Sequence, residues 1–255
     1  MSEIEMQSTA EAAQQTPGLT QWQRVSNTFT APSKTFADIK RGNKSWWLPW
    51  LILAVVSYIF FAAVATKITM RTVVDNQLRL DPKTEERMAQ ATPEQREMTS
   101  KISVGVTEGF FIAAPVVVLA VVACGSLVLW GTINFVFGGK ATYGSIFVVY
   151  IFAWLPSIVK TLLGTVVIFA GAAPETFNIK NFAPTNLGAF LPTDTNKALY
   201  SLATSLDAVT IWTLVLLGMG IAIVAGVKRS SGYIAVFGWW ALIVLVGVGW
   251  AAAFG

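Results

Sequence analysis

Three charged residues stand against long apolar stretches, and they are where chemistry can sit in this chain. Glu108 heads an uncharged run over 109–139, Lys160 interrupts uncharged residues from 141 to 174, and Asp207 precedes an uncharged run over 208–227. A charge at the centre of a bilayer costs at least ~2.5–3.5 kcal/mol on insertion scales, so such residues pair, reach water, or line a path for ions or protons. Asn134, Ser157 and Thr161 are polar neighbours able to join them. Pro156, four positions before Lys160, removes a backbone hydrogen bond and predicts a kink there. Asp207 is the first expected partner of Lys160 and Glu108 the second. The plainer reading is structural: an ion pair, or a lysine stem that snorkels toward the head groups.

Most other chemistry lacks raw material. The chain has no histidine and one cysteine, Cys124, inside an apolar run where it reads as a small hydrophobe. No metal site or cofactor is expected. No P-loop, carboxylate dyad, dinucleotide glycine signature or nucleophile elbow is present, so an enzyme is not expected, an intramembrane lipid-modifying one included. The formal charge of +4 comes without a dense basic stripe, which argues for lipid head groups and against nucleic acid as a partner.

The elements that must position these residues are membrane helices. Uncharged runs cover 45–66, 109–139, 141–174 apart from Lys160, 208–227 and 230–255. At a rise of ~1.5 Å per residue, ~20 apolar residues cross a hydrocarbon core ~30 Å thick. The runs lack the alternation of barrel strands, and lipid leaves the backbone no other choice than helices. The expected fold is all-α: a polytopic integral membrane helical bundle of five transmembrane helices, about 46–66, 106–136, 145–172, 204–227 and 232–253, forming a membrane domain over 45–255. Short turns at Gly138-Gly139-Lys140 and at 228–232 make the second and third spans, and the fourth and fifth, antiparallel hairpins. The loop over 173–203, polar but carrying Phe177, Phe182, Phe190 and Leu191, is expected on the membrane surface. On the fourth span Gly218, Ala222 and Gly226 recur every four residues, a spacing that lets helices pack closely within the chain or with another membrane protein.

Ahead of the membrane domain, residues 1–20 are polar and acidic and read as a disordered tail. Residues 21–44 read as a cytoplasmic interfacial segment, with a short amphipathic helix over 33–41 capped by Ser33 that lays Phe36 and Ile39 in lipid. Trp46, Trp47 and Trp50 then read as anchors at head-group depth. Between Lys67 and Lys101 a mixed-charge stretch predicts a helix over 82–90 capped by Asp81. A second, starting at Pro93 with a Thr92–Gln95 capping box, runs into the second span. With a cytoplasmic N-terminus the basic residues divide eight inside and nine outside. The first flank and the basic tight turns therefore decide the topology: N-terminus inside, C-terminus outside, in a multi-pass membrane protein.

The order of FTAPSKTFADIKRGNKSWWLPWLIL, ATPEQREMTSKI, GGKATYGSIFVVYIFAWLPSIVKTLL and IWTLVLLGMGIAIVAGVKRSSGYIAVFGWWALIVLVGVGWAA resembles the bacterial branch of the Ypt-interacting protein (Yip) family over about residues 25–254. The resemblance implies five helices and a cytosolic N-terminus. Eukaryotic relatives serve Rab-type GTPases and early secretory traffic. Their aspartate-leucine-tyrosine-glycine-proline motif is absent, so that role does not carry over. The expected function is a non-enzymatic membrane protein that organises lipids or partner proteins. The alternative is a small transporter or channel subunit built on Glu108, Lys160 and Asp207.

Overall fold

A computed structural model of the chain describes residues 18–80, 82–192 and 195–254. Most of the expected tail, residues 1–17, and the expected Asp81 cap lie outside them. Gln21–Thr30 (α1) opens on a capping box: the Gln23 amide donates to the Thr20 hydroxyl and the Thr20 amide to the Gln23 side chain. Pro32–Lys40 (α2) follows after one residue, with Pro32 in the first turn where a missing N–H costs nothing; Ser33 is inside the helix and does not cap it. Trp47–Ile68 (α3, its last turn π-type) is the first span, followed by Met70–Arg79 (α4) and Pro82–Gln90 (α5). Pro93–Val136 (α6) is the second span and extends far beyond it; the Thr92–Gln95 box caps its start. The third span comes in two pieces, Tyr143–Ala153 (α7) and Ser157–Phe169 (α8), because at Trp154–Pro156 the hydrogen bonds shift to three-residue spacing ahead of Pro156. Lys197–Ser205 (α9), the fourth span Ala208–Ala225 (α10) and the fifth, Arg229–Phe254 (α11), complete the chain. Five helices are thus long and apolar enough to cross a membrane, and the described residues contain no β-strand beyond an isolated bridge between Asn186 and Asp207.

The N-terminal segment departs from the expectation of a helix resting on lipid. Here α1 and α2 form a hairpin packed on α7 and α10, and Phe36 and Ile39 lie fully buried in the main core beside Val149 and Gly220. Their apolar face is covered by protein, since small Gly220 leaves room for the Phe36 ring; a Cβ there would meet that ring at 3.0 Å.

The loop between the third and fourth spans keeps a surface path in part, with Leu187 and Phe190 exposed, but turns two of its aromatic rings inward. Phe177 is buried with Phe60, Ile68 and Ile168, and the Phe182 ring sits 4.6 Å from that of Phe60 against the bare face of Gly164. Asn76 on α4 holds the loop down by donating to the carbonyls of Pro174 and Phe177, at 2.7 and 3.0 Å. The fourth helix explains the need. With 18 residues, α10 is about 27 Å long. Its start meets Lys160, nine residues or about 13 Å short of the end of α8, so the loop fills the space beyond it.

The last two spans cross closely where Gly218 and Ala222 face Gly232, whose Cβ would collide with the Gly218 carbonyl oxygen. Gly226 does not share that face. It adopts φ 69° and ends α10 in the left-handed conformation that glycine takes without strain, so it serves as a cap and not as a packing position.

Candidate polar site between the third and fourth spans

Asp207 is the N-cap of α10. One carboxylate oxygen accepts from the Thr210 amide at 2.9 Å, satisfying a donor that the helix start leaves free. The other accepts from Lys160 Nζ at 2.9 Å and from the Thr185 hydroxyl at 2.5 Å. The side chain of Asp207 is 2% exposed and that of Lys160 24%. Just ahead of the span, the Asp207 carboxyl is pushed up by burial. The hydrogen bonds from Thr185, Lys160 and Thr210, with the lysine charge, outweigh this and hold it below its ordinary value. The Ala208 amide donates to the Thr185 carbonyl, and the Lys160 ammonium also lies 5.7 Å from the centre of the Phe182 ring. One carboxylate therefore fastens the third span, the loop that follows it and the fourth span together.

The other expected members stand elsewhere. Glu108 is exposed on α6 and makes no ion pair among the described residues. Asn134 clamps the turn into the third span, with Nδ2 2.9 Å from the Ala141 carbonyl and Oδ1 3.0 Å from the Ala141 amide. Thr161 donates its hydroxyl to the Ser157 carbonyl of its own helix. Of the three tryptophans, Trp47 alone is largely exposed. Trp50 donates to the Pro115 carbonyl at 3.0 Å, and Trp46 packs edge-on against Trp50 and Phe147.

With this geometry in place, comparison with known proteins adds one decisive observation: the Yip1 domain family matches residues 26–251. The chain belongs to that family. No curated protein and no solved structure matches it.

This Yip1 domain holds a second charged site that the sequence reading passed over. Arg24 is fully buried, its Nε 3.4 Å from Asp38 Oδ2. Its Nη atoms donate to the Asn43 side chain at 3.1 Å, the Asn43 carbonyl at 3.0 Å and the Ser45 carbonyl at 2.7 Å, and the guanidinium lies 4.5 Å from the centre of the Phe152 ring. Burial lowers its pKa to about 10 against the opposing pull of Asp38, so it stays cationic at neutral pH. Asp38 also accepts from the Leu19 amide at 3.1 Å, the Asn43 side chain at 2.9 Å and Arg41 at 3.1 Å. A signal was available: Arg24 and Asp38 lie seven residues to either side of Ala31, and an antiparallel helical hairpin brings together positions equidistant from its turn.

Proposed function

We propose that this Yip1-type membrane protein is non-enzymatic and organises the lipids or membrane proteins around it, with its N-terminus in the cytoplasm and its C-terminus outside, in the inner membrane of a bacterial cell. The observation that carries the reading is where polar and apolar groups face. Lys160, Asp207, Arg24 and Asp38 are spent on one another inside the bundle. What faces outward is apolar: in its most apolar stretch the fifth span is 11% buried, against 50% for the fourth, leaving Trp239, Ile243, Val246 and Trp250 uncovered. Such a face meets lipid, and a helix from another protein or a second copy suits it equally. Photo-crosslinkers at Trp239 and Val246 in native membranes are expected to trap membrane proteins or a second copy in discrete products. Products no different from those of a crosslinker on the buried α10 face count against the reading.

A transport role is the second reading, and the quarter-exposed Lys160 favours it. Reconstituted liposomes separate the two. The organising role predicts no proton or ion flux with either the parent chain or Lys160→Ala, whereas flux lost with the lysine moves the assignment to a transporter.

A further inference from the structure

The fold gathers basic residues from three distant segments around the turn after α10. Lys40 Nζ lies 3.8 Å from where a Cβ would stand on Gly226. The Lys140 amide donates to the Ala225 carbonyl at 3.1 Å, and Lys228 and Arg229 follow two and three residues after Gly226. All four side chains belong to exposed residues, and none has a carboxylate partner among the described residues. The end of α10 does not need their charge. Its carbonyls at Ala222, Ile223 and Ala225 already accept from the amides of Val227, Gly226 and Lys140. The one described carboxylate nearby, Asp38, is buried and occupied by Arg24, Arg41, Asn43 and the Leu19 amide. Four exposed cations without a described carboxylate partner, in or beside the turns between helices at the end of the bundle where the first span begins, meet the phosphate layer of a bilayer.

We infer that Lys40, Lys140, Lys228 and Arg229 form a binding site for the phosphate of an anionic phospholipid headgroup, one that selects lipids of net negative charge over zwitterionic ones. Lysine suits the task, because its ammonium is a flexible point charge on a stem that can lie along apolar surface. Headgroup binding requires only that the bundle sit in a bilayer, and it stands or falls independently of any protein partner.

The test uses the purified full chain in detergent and native mass spectrometry with short-chain phosphatidylglycerol, phosphatidylcholine as the zwitterionic probe, and inorganic phosphate. Near a membrane surface each basic residue is worth about 1 kcal/mol toward anionic lipid, or about fivefold in affinity. The triple substitution Lys40→Gln, Lys140→Gln, Lys228→Gln is expected to weaken phosphatidylglycerol binding by about a hundredfold, leaving phosphatidylcholine binding unchanged. The pair Arg87→Gln, Lys197→Gln, far from this turn, is the control and is expected to have no effect. None of the three lysine ammonium groups makes an internal bond to a described residue, so the melting temperature stays near that of the parent; Lys228→Gln alone, expected to lose about fivefold, is the fallback. Unchanged phosphatidylglycerol affinity in the triple variant, or an equal loss in the control pair, overturns the site. Displacement of lipid by inorganic phosphate but not by chloride at equal ionic strength makes free phosphate the ligand and overturns the lipid assignment.

Discussion

The Arg24–Asp38 and Lys160–Asp207 ion pairs sit in different parts of the bundle and are built in opposite ways. Arg24 and Asp38 are sealed, at 0% and 2% exposure, and each is held by several further hydrogen bonds. The guanidinium is a rigid fork, so one side chain ties α1, the Asn43–Ser45 strap and the third span into one arrangement. Lys160 has a single charged partner and keeps part of its stem open. Its ammonium can meet water without the fold coming apart, while Asp207 keeps Thr185 and the Thr210 amide in any event. The first pair is a lock on the N-terminal hairpin; the second is a clasp on a loop.

Breaking the lock is expected to give the largest effect. Arg24→Ala removes a buried guanidinium that makes three hydrogen bonds and leaves Asp38 the half-exposed Arg41 as its remaining described cation, at an expected cost of about 3 kcal/mol. Denaturant unfolding of the detergent-solubilised protein is the measurement, and Arg24→Lys should recover little because an ammonium cannot span the same acceptors. A loss below ~1 kcal/mol would show that water reaches Asp38 and that the lock is loose.

Asp207→Ala comes next, at roughly 2–3 kcal/mol, because it removes a helix cap together with two side-chain hydrogen bonds. Its contribution also carries a pH signature. The folded carboxyl ionises below its ordinary value, so the stabilisation is complete above the unfolded pKa and is lost as the pH falls through the folded one. Acid titration of stability in that range should flatten in the alanine variant. Lys160→Met is expected to cost less, about 1–2 kcal/mol, since the carboxylate keeps its other partners. In a double-mutant cycle the losses at Lys160 and Asp207 should fall short of additive by about 1 kcal/mol. Strict additivity would mean that the 2.9 Å pair contributes nothing to folding.

The spans were legible because lipid permits so few solutions: a run of ~20 apolar residues has to be a helix. Pro156 was legible for a similar reason, as a missing donor acts locally. What escaped the sequence was which face meets protein and which meets lipid. Phe36 and Ile39 have the spacing of an interfacial helix, and nothing in that spacing distinguishes a bilayer from the side of α10. The inward turn of Phe177 and Phe182 depends on α10 stopping short of its neighbour, a tertiary fact with no local marker. Arg24 sits among polar residues and reads as a flanking cation until the hairpin turns it inward. Gly226 shows the limit of a four-residue spacing, because the helix ends before the repeat does.

The smallest expected effect belongs to Glu108, and it marks the boundary of the comparison. This carboxylate heads the same kind of apolar run as Asp207, yet it is exposed on α6 and has no ion-pair partner among the described residues. The second span is long enough to explain the difference: its 44 residues amount to about 66 Å, twice what a bilayer needs, so a charge 15 residues from its start can sit beyond the hydrocarbon. Glu108→Gln is therefore expected to change stability by less than ~0.5 kcal/mol, as exposed substitutions do. It should show no coupling to Lys160→Met in the same unfolding assay. A coupling near 1 kcal/mol would bring the second span into the clasp, since two residues that share no contact are otherwise additive. A loss seen only in native membranes, and absent in detergent, would point instead to a cationic partner outside this chain, placed against α6 at the level of Glu108.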